Sequence, residues 1–176
     1  MSAVVPARGV LLEAMPTETS FEVVAVQLPL VAQLSDGWPT RAGEVRWDAM
    51  GRPVMLHIGI DRWLLPTANA EVMDLARCAV TAGSCVMFEV TGKWQVFRCQ
   101  DRSIARILSS SIDIDAILEQ SECARLVVFD CPAIITRRTH VHWILIQRSY
   151  CASFHTAITS AAAAGSAPGG PSGASR

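Results

Sequence analysis

Lysine is almost absent from this chain. Fourteen of its fifteen basic residues are arginine, and Lys93 stands alone. Basic and acidic residues nearly balance, for a formal net charge of −1. The chain therefore lacks the basic excess that nucleic acid or an anionic membrane surface normally asks for, and neither is expected as a partner. Long hydrophobic runs are missing as well. A bilayer span needs roughly 20 apolar residues, and the longest candidate, Val23 to Leu34, is broken by Gln27, Pro29 and Gln33. The opening residues show no basic start followed by an apolar stretch, so no signal peptide is expected. No phosphate loop is present either: Gly83, Gly92 and the glycines of the tail fit neither GxGxxG nor GxxxxGK. Nor is there a CxxC pair. The cysteines Cys78, Cys85, Cys99, Cys123, Cys131 and Cys151 lie mostly among apolar neighbours, which reads as reduced thiols in a cytoplasmic protein and not as a secreted disulfide framework.

What the chain does have is apolar surface. It is 51% hydrophobic, with a mean hydropathy of +0.31 over 176 residues. That length suits one domain with a substantial core. With the membrane excluded, the excess is expected to be covered by permanent partner subunits, because obligate interfaces resemble a core cut in half.

Residues 1–20 contain Pro6 and Pro16 and little periodicity, which predicts an extended N-terminal arm. Phe21 to Leu28 is β-branched and reads as a strand ended by Pro29. Ser35 to Gly51 reads as a loop carrying Trp38 and Trp47. Pro53 to Ile60 is a strand, and Gly59-Ile60-Asp61 turns into a short strand at Trp63–Leu65. Val72, Leu75, Ala76 and Ala79 share a face, predicting a helix from about Ala70 to Thr81 that Gly83 stops. Ser84 to Val90 and Lys93 to Cys99 read as a hairpin turning at Thr91-Gly92. Asp101 and Ser103 are N-cap candidates for a helix carrying Ile104, Ile107 and Leu108, and Asp113 for a second at Ile114–Gln120. Leu126–Asp130 and Ala133–Arg138 form a hairpin around Cys131-Pro132, and Val141–Gln147 is the last strand. Ser149 is a natural N-cap for a closing helix with Tyr150, Phe154, Ala157, Ile158 and Ala161 on one side. Beyond Ala164 the run GSAPGGPSGASR cannot bury enough surface to offset its ordering entropy, and residues 165–176 are expected to be a disordered tail.

No residue set marks out an active site. His140 and His142 stand two apart, as a metal pair could, but no third ligand sits at a convincing spacing. Cys151 and His155 lie at i, i+4 as a thiolate and base might, and the same spacing beside Phe154 and Ile158 marks a half-buried helix face. Asp113, Asp115 and Glu119 are cap and first-turn acids. The candidate functional residues belong to docking. Arg148, with Tyr150 beside it, sits where a strand meets a helix and can offer bidentate hydrogen bonds. Trp38 and Trp47 lie in a segment too apolar to face water and are candidate interface anchors, whereas Trp63 belongs to the core.

Two strand-then-helix units stand out, Arg62-Trp63-Leu64-Leu65 and His142-Trp143-Ile144-Leu145, each followed by a helix. Further anchors follow in order: Ile58-Gly59-Ile60-Asp61, Val96-Phe97-Arg98, Asp101 to Leu108, Asp113, Cys123-Ala124-Arg125, and Arg148-Ser149-Tyr150. From His57 to Ala161 this wording resembles the gamma subunit of heterotetrameric sarcosine oxidase, within the fold group of folate-binding aminomethyltransferases. It departs at Cys99-Gln100, where the family commonly has a glycine. The resemblance implies a single α+β domain over residues 21–162. Its mixed or antiparallel sheet and packed helices would form pseudo-repeated strand–helix halves of the aminomethyltransferase-like type. It implies a non-catalytic subunit with no cofactor or metal of its own. FAD, FMN, NAD, tetrahydrofolate and zinc would belong to the alpha, beta and delta partner subunits. The implied reaction is oxidative demethylation of sarcosine to glycine, with formaldehyde or methylene-tetrahydrofolate as the other product. Alternatives are a gamma-like subunit of a related enzyme such as N-methylglutamate dehydrogenase, or a stand-alone folate-binding protein, for which the chain is only about half the expected length. An independent small enzyme built on Cys151 and His155 is a further rival.

Overall fold

A computed structural model of the protein describes residues 4–7, 10–26, 37–100 and 103–165. Its elements in chain order are β1 (Val4–Ala7), β2 (Val10–Ala14), β3 (Phe21–Ala25), β4 (Val45–Trp47), β5 (Pro53–Gly59), β6 (Arg62–Leu65), α1 (Ala70–Thr81), β7 (Cys85–Glu89) and β8 (Trp94–Cys99). They continue with α2 (Ser103–Leu108), α3 (Ile114–Gln120), β9 (Cys123–Val128), β10 (Cys131–Arg138), β11 (Val141–Gln147) and α4 (Cys151–Gly165). The strands form a five-stranded sheet, β4-β5-β6-β3-β7, and a six-stranded sheet, β1-β2-β8-β11-β10-β9. Every pairing among them is antiparallel.

The two halves repeat one plan. In each, a three-strand meander (β4-β5-β6 or β9-β10-β11) lies beside the strand that precedes it in sequence (β3 or β8). The last strand of each meander leads into a helix, α1 or α4, and a further strand, β7 or β2, pairs on the far side. In the first half that strand follows its helix. In the second it arrives from the N-terminus.

Side-chain alternation stacks these pieces in four layers. Trp63 and Leu65 of β6 face α1 together with Val72, Met73 and Ala76. Between them Leu64 points the other way and meets Ile134 and Leu145 of the second sheet. Ile144 and Ile146 of β11 in turn face Ile104, Leu108, Ile114, Phe154 and Ile158 of α2, α3 and α4. Strands covered on both faces read as continuous apolar runs, which is why β5, β10 and β11 lack a polar alternation.

The seam between the sheets is also stitched through backbone. Gly43 donates its N–H to the His57 carbonyl at 2.9 Å and accepts from the Cys123 N–H at 2.7 Å. The Glu122 carboxylate accepts from Val45 N–H at 2.7 Å, and Thr136 Oγ1 donates to the Glu122 carbonyl at 2.7 Å. Gly43 has φ +89°, and a Cβ there would lie 2.6 Å from the Cβ of Ser121. Only glycine fits that position.

Several expectations are met at residue level. Helix α1 runs over Ala70–Thr81 with Asn69 capping Val72 N–H at 3.2 Å, and Gly83 follows it at φ +71°. Asp113 caps α3 by accepting from Ala116 N–H at 3.2 Å. Others change. The N-terminal arm is not loose: β1 and β2 form a hairpin whose β2 pairs with β8, because Leu12 finds a place in the core beside Cys99. Thr91-Gly92 does turn the chain, but β7 and β8 do not pair. Cys85 and Met87 face the α1 core while Phe97 and Cys99 face the α4 core, so the turn carries the chain from one sheet to the other. The β9–β10 turn falls at Phe129-Asp130, both with positive φ, two residues before the expected Cys131-Pro132. The segment read as a loop before Gly51 contains β4. Ser149 is not a cap but part of a 3-10 turn, Arg148–Tyr150, that precedes α4. Leu28, Pro29, Asp101 and residues 166–176 lie outside the described residues.

Candidate functional site

Four residues were singled out for docking, and the fold does not gather them. Arg148 projects from the 3-10 turn at the end of β11, where its backbone N–H donates to the Lys93 carbonyl at 2.8 Å. Its guanidinium donates to Thr17 Oγ1 at 2.7 Å and Gln95 Oε1 at 3.5 Å, tying the lead-in to β3 onto β8 while its rim stays exposed. Tyr150 beside it is 38% exposed. Trp38 is 6% exposed, set edge-on to Trp63 at 5.1 Å. It is taken up by the core under α1, so it has little surface left to present to a partner. Trp47 is half-buried at the end of β4, under the Arg138 guanidinium at 5.5 Å. Arg138 and Arg148 stand at opposite ends of β11, a strand of seven residues, about 20 Å apart. They form two surfaces, not one site.

The Arg138 end is the more developed. A cleft of about 550 Å³ opens there between the turn before β5 and strands β8, β10 and β11. Three arginines line it: Arg52, Arg98 and Arg138. Each is held from behind. Arg52 Nε donates to Asp48 Oδ2 at 2.8 Å, with Glu18 at 3.9 Å. Arg98 pairs with Glu13 at 3.3 Å, has the Gln100 amide against it, and lies over the Trp143 ring at 5.9 Å. Arg138 donates to the Asp48 carbonyl at 3.3 Å and has no ion-pair partner among the described residues. Burial pushes the Asp48 carboxyl up, but the Arg52 N–H and guanidinium and the Met50 N–H outweigh it and hold it below the usual carboxylate range. Trp143, 4% exposed, forms the apolar wall, and its indole N–H has no acceptor among the described residues. Met15, Met50 and Val141 complete it.

Sequence reasoning missed this cleft because its parts are scattered. The one local signal is the cross-strand register, which sets Arg98 opposite Trp143; it becomes visible only when β8 is paired with β11 and not with β7.

The other chemical candidates are placed apart. His142 is buried in β11 opposite Arg137, while His140 sits in the turn. Burial, helped by Arg137 and opposed by Asp115, pushes His142 down to about 4. Among the described residues no three His, Cys, Asp or Glu side chains converge on a metal position. Cys151 Sγ donates to the Gln147 carbonyl at 3.8 Å, and burial raises its thiol despite the nearby Arg148. His155 Nε2 is buried without a hydrogen-bond partner among the described residues, so the two do not form a bonded nucleophile and base. Asp115 pairs with Arg137, at the surface. All six cysteines are free thiols, and Cys123 is pushed up to about 12 by burial and Glu122. Among the described residues, no helix is long and apolar enough to cross a membrane.

No protein-family model and no curated protein sequence matches the chain. Among solved structures, an aspartate kinase from Clostridium acetobutylicum aligns at a TM-score of 0.34 and 10% identity over 92% of this chain and 36% of that one, too loosely to carry an argument. A chain of heterotetrameric sarcosine oxidase from Corynebacterium sp. U-96, solved in complex with pyrrole 2-carboxylate, is similar at a TM-score of 0.73 and 20% identity. That alignment covers 95% of this chain and 90% of that one, and what it shows is a shared α+β fold of two antiparallel sheets and packed helices.

Proposed function

We propose that this chain is the non-catalytic gamma subunit of a cytoplasmic, heterotetrameric, flavin-dependent sarcosine oxidase. The observation that carries the reading is the fold likeness to a chain of such an assembly over nearly the full length of both. Because the two coverages are alike, the matched chain is of about this size. The ordered run of motifs from Ile58 to Tyr150 points the same way. So does apolar surface left uncovered on the isolated chain. Phe88 is 55% exposed on β7, at the edge of the five-stranded sheet, with Val86 and Val26 exposed nearby. Contiguous apolar surface at an open sheet edge marks an interaction site. On this reading alpha, beta and delta subunits carry FAD, FMN, NAD, tetrahydrofolate and zinc. The assembly removes the methyl group of sarcosine oxidatively, and this chain supports it.

Purification of the tagged chain from its native cell, at endogenous level, tests the proposal. A yellow complex with one large, one medium and one very small partner is the expected result; a colourless, lone monomer overturns it. Arg148→Ala should lower the recovery of partners severalfold without altering the flavin spectrum of the complex that survives, since the guanidinium bridges Thr17 and Gln95 at an exposed rim.

A further inference from the structure

We propose that the cleft lined by Arg52, Arg98 and Arg138 is a binding site for a small molecule carrying a carboxylate or phosphate group on an apolar body.

Three features of the cleft support this. The first is its donors. A guanidinium has five N–H groups in a rigid fork suited to carboxylate and phosphate oxygens. Arg138 spends one of them on the Asp48 carbonyl and makes no ion pair among the described residues, and Arg52 and Arg98 are likewise only partly spent. The second is preorganisation. Asp48 and Glu13 lie behind Arg52 and Arg98 and fix the forks in place, so an incoming anion need not order them. Those carboxylates also neutralise two of the three charges, which leaves Arg138 as the uncompensated one and the discriminating residue. The third is Trp143. It is nine-tenths buried, and its ring, with Arg98 lying over it, gives the cleft a fixed apolar wall. The neighbouring Met15, Met50 and Val141 are apolar and, for the methionines, adaptable in shape, which suits a hydrocarbon body and not a second charge.

Calorimetric titration of the full chain, with whatever subunits purify alongside it, tests the site. The probes are butyl phosphate, butanoate and neutral butanol in low-salt buffer. Saturable one-to-one binding of at least one anion is expected, with butanol inert; whichever anion binds more tightly identifies the headgroup. Arg138→Gln should weaken that binding about tenfold or more, in line with the loss of a charge-assisted fork. Arg138→Lys, which keeps the charge without the fork, should fall between. Arg41→Gln removes an exposed arginine outside the cleft and should change nothing. Absence of saturable binding by both anions overturns the proposal. So does equal binding of butanol, or wild-type affinity in a folded Arg138→Gln protein.

Discussion

At the scale of single residues, the seam between the sheets rests on Gly43. Its N–H and carbonyl bond to His57 of one sheet and Cys123 of the other, in a backbone conformation that L residues rarely adopt. Gly43→Ala adds left-handed strain and a collision with the Ser121 side chain, and should cost about 2 kcal/mol or more. A lowered urea midpoint at constant slope would show it; an unchanged midpoint would mean that the seam can give way locally. Nothing in the sequence marks Gly43 out from the other glycines of its segment. The need for glycine arises from a neighbour 78 positions away, at Ser121, and such close approaches have no local signature.

At the scale of elements, the difference between what could be read and what could not is one of range. Helix α1 was legible because its apolar period and its Gly83 stop lie within the fourteen residues from Ala70 to Gly83. The ends of β11 were legible for the same reason. Pairing partners were not. Ser84–Cys99 has the composition of a hairpin, yet its two strands cover different cores and join different sheets. The N-terminal arm is the sharper case, since the β1–β2 hairpin gains its place in the sheet only through β8, far along the chain. Leu12 is 1% exposed in the α4-side core. Leu12→Ala should therefore lower stability by about 2–5 kcal/mol, as cavity-forming core changes do. Chemical denaturation reads this directly, and a loss below a few tenths of a kcal/mol would mean the arm is not part of the folding unit. The arginine cleft was illegible on the same grounds, being assembled from β8, β10 and β11 and the turn before β5.

At the scale of the whole molecule, two buried histidines tie its stability to pH. His57 lies in the five-stranded sheet, stacked on Trp63 at 4.8 Å. Burial lowers its pKa, although backbone groups of Arg41 and Gly59 and the carboxylates of Asp61 and Glu44 favour the cation, and neither ring nitrogen makes a hydrogen bond of good geometry. His142, in the other sheet, is pushed down to about 4. Both folded values lie below the unfolded one of about 6.5. As pH falls through 6.5 the unfolded chain takes up protons that the folded chain refuses, so stability is whole above that pH and declines below it. The decline from His142 ends only near its folded value. Between about pH 6.5 and pH 5 it alone should remove on the order of 2 kcal/mol. Urea midpoints across that interval measure the loss, and His142→Gln should flatten the profile. A wild-type midpoint that does not fall over this range would contradict the neutral, buried state of both rings.

The interleaving of the two halves also sets an order of events during synthesis. The five-stranded sheet uses strands from Phe21 to Glu89, so it can close as soon as β7 has left the ribosome. Strand β2 is made before any of it, yet its partner β8 ends at Cys99. Strands β1 and β2 can pair with each other at once, but the other edge of β2 waits for β8. Until then that edge stays open, and the nascent chain carries its own sticky end while the five-stranded sheet is being made.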